Sequence, residues 1–169
     1  MRKKSNLVCR KRLNNVENRL FYKLLQSFTI RSSVHIAAMQ EHQNIQTQVE
    51  YVLSRLSALI SARDLAALAE FSEDVVLVGS EAGEIALGLD QLRALLQSAF
   101  TQESRIAWTW HSVRASRCAD MAWFFAEGEL VLTSDTIEKR KPYRLSGVLG
   151  WQAERWKWRQ FHGSEPAPP

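Results

Sequence analysis

The chain has 169 residues, 46% hydrophobic and 24% charged, which is ordinary globular usage and enough for one domain with its own core. The net charge of +4 is no sign of a nucleic-acid binder, because residues 1–38 hold nine basic residues against one acid (net +8) while residues 39–169 are net −4. Two cysteines exclude a disulfide scaffold and fit a reducing compartment, four scattered histidines lack ligand spacing, and no apolar run approaches the roughly 20 residues of a membrane-spanning helix.

Residues 1–38 form a basic leader containing Cys9 and the runs RKK and RKR. Three readings apply to it: an upstream extension of a chain whose translation begins at Met39, a transit peptide, or a phosphate-gripping arm. The composition break at Met39 favours the first. The folded body is then expected over 39–169, in the cytoplasm, with no nucleic-acid or membrane partner.

From Gln43 to Ala62, Ile45, Val49, Val52, Leu53, Leu56, Leu59 and Ile60 recur at three- and four-residue steps, which predicts an amphipathic helix of about five turns. A second, shorter helix is expected over DLAALAEF with Asp64 capping it. Val75–Val78 reads as a strand ended by Gly79, and EIALG as a short strand paired to it across the polar turn SEAGE. LDQLRALLQSAF reads as a third helix with Leu89, Leu92, Leu95, Leu96 and Phe100 on its buried stripe and Asp90 in its first turn.

Four strands in meander order follow, at roughly 104–116, 120–133, 140–152 and 155–163, and they hold all six tryptophans. Alternation places Trp156, Trp158, Gln160 and His162 on one side of the last strand, expected to face inward, and Trp108 with Trp110 on one side of the first. Strand 120–133 has an apolar side (Ala122, Phe124, Ala126, Gly128, Leu130, Leu132) and another with Trp123, Phe125, Glu127 and Glu129; periodicity leaves open which of them faces the interior.

This order of elements, with SARDLAALAEFSEDVVLVGS, Gly88-Leu89-Asp90-Gln91-Leu92, MAWFFAEGELVL and the terminal H-x-S-x-P of His162-Gly163-Ser164-Glu165-Pro166, resembles the SnoaL-like branch of the nuclear-transport-factor-2-like superfamily. The resemblance spans residues 42–166. It implies an α+β fold: a cone-shaped curved sheet of about six strands wrapped around three helices that precede the meander, with a ligand cavity and frequent homodimerisation. The fold alone does not assign a reaction. Ketosteroid isomerases, more distant relatives, use a carboxylate base and an oxyanion hole of a tyrosine plus an aspartate kept protonated by its apolar site. Here their base position matches Gly79, their tyrosine Leu56 and their buried acid Val148, so that machinery is missing.

Chemistry can still be sought elsewhere. His162 is a candidate acid/base because of its residue type, and the alternative to a catalytic role is a structural histidine bonded to Ser164 or a neighbouring strand. Glu127 and Glu129 share a side; they are an acid/base couple or a solvated face opposite Arg144 or Arg114. His111 is expected to face solvent. In this fold Ser80 and Glu81 sit at the cone's mouth. Trp108, Trp110, Trp123, Tyr143, Trp158 and Gln160 form the expected ligand-binding set for an apolar or aromatic small molecule, although filling a small cone accounts for most tryptophans. No cofactor or metal is expected, since no nucleotide, redox-thiol or zinc-protease motif occurs. Three functions are weighed: a small-molecule-binding domain, an acid/base enzyme of isomerase, cyclase or hydratase type using His162 or Glu127, and a non-catalytic dimerising module.

Overall fold

A computed structural model describes residues 44–135 and 137–167; the leader lies outside them. Helix α1 runs over 44–61 and buries Ile45, Val49, Val52, Leu53, Leu56 and Ile60, the stripe its periodicity predicts. Leu65–Glu70 follows as a 3-10 helix rather than an α-helix, capped by Asp64, whose side chain accepts from the Ala66 amide at 2.8 Å. At six residues it is too short to gain much from α-helical bonding, and Phe71 already belongs to the next strand. The remaining elements are β1 (Phe71–Val78), β2 (Ile85–Leu87), α2 (Leu89–Phe100), β3 (Arg105–Cys118), β4 (Met121–Ser134), β5 (Ile137–Gln152) and β6 (Arg155–Ser164). Of the α2 stripe only Leu92 and Leu96 are buried; Leu89, Leu95 and Phe100 pack partly exposed against the core.

The six strands form one curved, open sheet in the order β2-β1-β6-β5-β4-β3, parallel only between β1 and β6. Two-residue connections join the long strands, and Ala153 and Glu154 both take positive φ (48° and 60°), the twist a tight hairpin turn requires. The β4–β5 turn is shorter than expected, since Ser134 pairs directly with Ile137.

The edge of β3 is not left bare. From α1, the Gln46 side chain donates to the Val113 carbonyl (2.6 Å) and accepts from the Ala115 amide (3.2 Å). Ser57, eleven residues on and so on the same helix face, accepts from the Trp108 amide (2.8 Å) and donates to the Trp108 carbonyl (3.1 Å). These bonds occupy backbone groups that an edge strand otherwise offers to another chain, and they hold the helix over the sheet.

One face of β4 is now assigned: Ala122, Phe124, Ala126 and Leu130 are buried, whereas Trp123 is 49% and Phe125 41% exposed. The last strand corrects the expectation of a single inward side. Trp156 and Trp158 are buried, but Gln160 and His162 are exposed, and Phe161 and Gly163 take the inner positions instead. The cause is a bulge: Leu149 pairs with Trp158 and Val148 with Gln160, leaving Arg159 as an extra residue that reverses the alternation beyond it. A similar irregularity at His111 in β3 leaves that histidine exposed, as expected.

Candidate functional site

Between the inner face of the sheet, the end of α1, α2 and the β1–β2 turn lies a cavity of about 590 Å3. Most of its wall is apolar: Leu56 and Ile60 from α1, Leu95, Leu96 and Phe100 from α2, and Ile106, Trp108, Leu130, Leu132 and Phe161 from the sheet. This follows from sequence locally, because each strand presents alternate apolar side chains inward and the two α-helices present their stripes.

Polar groups reach the wall from several elements, Arg63, Glu84, Arg105, Lys141, Tyr143 and Glu165 among them. Tyr143, only 4% exposed, comes from β5 and stands beside Trp108, with ring centroids 6.2 Å apart. Its ring occupies space that Gly163 leaves open: a Cβ at position 163 would overlap the Tyr143 hydroxyl and lie 2.6 Å from its Cζ. Burial pushes the Tyr143 hydroxyl up to about 12, the Glu84 carboxylate adds to that, and Ser80 opposes it. Tyr143 is thus a neutral donor at any ordinary pH.

Glu84 lines the same cavity from the β1–β2 turn. Its side chain lies flat on Gly79, where any Cβ would collide with its carboxylate and come within 2.8 Å of its Cδ. The turn is closed by the Gly79 amide donating to the Glu84 carbonyl (2.7 Å) and the Glu81 amide donating to Glu84 Oε2 (3.0 Å). Among the described residues Glu84 has no cationic partner, unlike Glu165, which pairs with Lys141 at 3.2 Å on the same wall. The indole nitrogen of Trp108 is buried without a hydrogen-bond partner among the described residues.

Of the residues singled out from sequence, Trp108, Tyr143, Ser80 and Glu81 line the cavity. Trp110 packs against Tyr143 (6.4 Å between centroids) without lining it. Trp158 is fully buried core, ringed by Phe71, Phe124 and Phe161 at 5.4–6.1 Å. Trp123 and Gln160 sit on the opposite face of the sheet, as do His162 and Glu127. Glu127 is paired with Arg144 (3.4 Å) and Glu129 with Arg140 (2.9 Å), the solvated alternative. Val148, matched above to a buried acid, also lies on the outer face, opposite Trp123 and Gln160. In the sequence Glu84 reads only as a turn residue, and its one sign is a glycine that ends a strand five residues before an acid. Among the described residues no group of three or more His, Cys, Asp or Glu side chains could hold a metal, and no helix is long and apolar enough to cross a membrane.

An open curved sheet backed by helices around a mostly apolar cavity defines a cone-shaped α+β class of domain. Residues 49–168 match the model of the SnoaL-like domain, and the chain belongs to that family. Solved structures agree on the fold. A nuclear-transport-factor-2-like protein of unknown function from Pseudomonas putida KT2440 superposes with a TM-score of 0.64 at 13% identity, over 75% of this chain and 89% of that one. A ketosteroid isomerase-like protein from Erwinia carotovora atroseptica SCRI1043 gives 0.58 at 22% identity over 73% and 97%, and ActVI-ORFA from Streptomyces coelicolor 0.61 at 14% over 70% and 95%. No curated protein matches the sequence.

Proposed function

We propose that this protein binds an apolar or aromatic small molecule in its cone cavity. The observation that carries the reading is the cavity itself: about 590 Å3 with a mostly apolar wall that also carries polar groups such as Tyr143 and Glu84. That size and lining match the general character of small-molecule sites. Apolar area drives entry, and the Tyr143 hydroxyl fixes orientation by donating to one ligand oxygen. A reducing, cytoplasmic setting fits Cys118, which is exposed and free among the described residues.

Titration with 2-tetralone, followed by quenching of intrinsic tryptophan fluorescence, tests this. Saturable binding is expected, weakened at least tenfold by Leu132→Trp, which fills the space from a half-buried position. Equal affinity in that variant would refute cavity binding.

A second reading, homodimerisation, is favoured by the outer sheet face. Across four strands Val76, Gln160, Val148 and Trp123 lie in one row, and Val78, His162, Ser146 and Phe125 in the next. Side-by-side exposure of Trp123 and Phe125 is unusual for a solvated face and suits a second copy of the chain. Sedimentation at micromolar concentration decides it: a dimer is expected, and a monomer removes the reading.

A further inference from the structure

We propose that the ligand of the cavity is an apolar carboxylic acid whose carboxylate is held at the β3 edge of the mouth by Arg63 and Arg105. This rests on the small-molecule reading and names the class of ligand.

The charges on the cavity wall are sorted by the order of the strands. The β1–β2 turn stands at one edge of the sheet and β3 at the other, with β6, β5 and β4 between them. Glu81 and Glu84 belong to that turn, and neither has a cationic partner among the described residues. Glu165, just past β6, and Lys141 on β5 come next and neutralise each other at 3.2 Å. Arg105 opens β3 at the far edge. Arg63 is tied to the same edge, because its Nη2 donates to the carbonyl of Gln102 and to that of Glu103 (3.0 Å). Acids therefore line one side of the mouth and arginines the other.

The arginine side is the better receiver. Arg63 is half-buried and already fixed through one nitrogen, so its Nε and Nη1 remain to bond a ligand at little cost in ordering. Neither arginine has a carboxylate partner among the described residues, and the hydroxyls of Ser98 and Ser104 line the wall beside them. Glu103 lies in the same segment but is exposed and forms no part of the wall. Across the mouth, Glu81 is exposed, where water screens it, while Glu84 is pressed on Gly79 and spends one oxygen on the Glu81 amide. That acidic side repels a carboxylate and so sets its direction. Arginine–carboxylate bonds are charge-assisted and directional, whereas the apolar wall takes the rest of the molecule in any orientation.

Calorimetric titration with 2-naphthoate, 2-naphthamide and 2-naphthylmethylammonium tests this, since the three share one apolar body and differ in charge. Wild type is expected to bind the acid at least about tenfold more tightly than the amide, the scale of one charge-assisted bond over a neutral one. Added salt should narrow that gap, because Arg105 is exposed. Arg105→Gln should lower the acid-to-amide ratio several-fold, and Arg63→Gln should lower it too, in protein that circular dichroism shows to be folded. If the acid binds no more tightly than the amide, if the ammonium compound binds best, or if the ratio survives in Arg105→Gln, the assignment of the two arginines is overturned. The cavity reading then stands where 2-tetralone still binds. If none of these compounds binds, both fall.

Discussion

The two faces of the sheet are made by the same strands and differ in almost every chemical respect. On β4, Ala122, Phe124, Ala126 and Leu130 look inward, while Trp123, Phe125, Glu127 and Glu129 look out. The outer face holds the side chains that attract notice in a sequence: His111, Glu127, Glu129 and His162. There the carboxylates are wet and paired with Arg144 and Arg140, where ion pairs contribute little. On the cavity side Tyr143 is buried against a mostly apolar wall, where its hydrogen bonding counts for more. Burial and neighbours, more than residue type, decide which titratable group can act.

That contrast can be broken from the inside first. Trp158→Ala removes the hub between Phe71, Phe124 and Phe161 and should cost about 3–5 kcal/mol in chemical denaturation. Next is an alkaline effect. Tyr143 has a folded pKa of about 12 against an ordinary value near 10, so its contribution to stability is fully present below pH about 10 and is lost as pH rises to about 12. This amounts to roughly 2–3 kcal/mol, and Tyr143→Phe should abolish that part of the slope in denaturation curves measured across the interval. Gly163→Ala forces the Tyr143 ring aside and should destabilise by about 1–3 kcal/mol while weakening 2-tetralone binding; unchanged binding would show that the ring position does not matter. On the outer face, Trp123→Ser with Phe125→Ser should leave 2-tetralone binding intact and shift sedimentation toward monomer. The smallest effect is expected for His162→Ala, within about 0.5 kcal/mol of wild-type stability and with ligand affinity unchanged. A large loss of affinity there would erase the distinction between the faces.

Much of the architecture was legible in the chain. The α1 stripe, the paired short strands, the α2 stripe and the four-strand meander follow from apolar periodicity and turn residues, which act locally. The terminal motif was legible too, but its histidine drew attention, whereas Gly163 is the residue that shapes the cavity by admitting Tyr143.

What sequence alone determined is therefore the kind and order of the elements, since 3.6- and 2-residue periods are properties of a single segment. What tertiary structure decided is the facing of residues beyond the Arg159 bulge and the placing of Glu84 and Tyr143, nearly sixty residues apart, on the wall of one cavity. A bulge depends on how two strands pair, and a site depends on which distant side chains share a space; neither is encoded in the alternation of one strand.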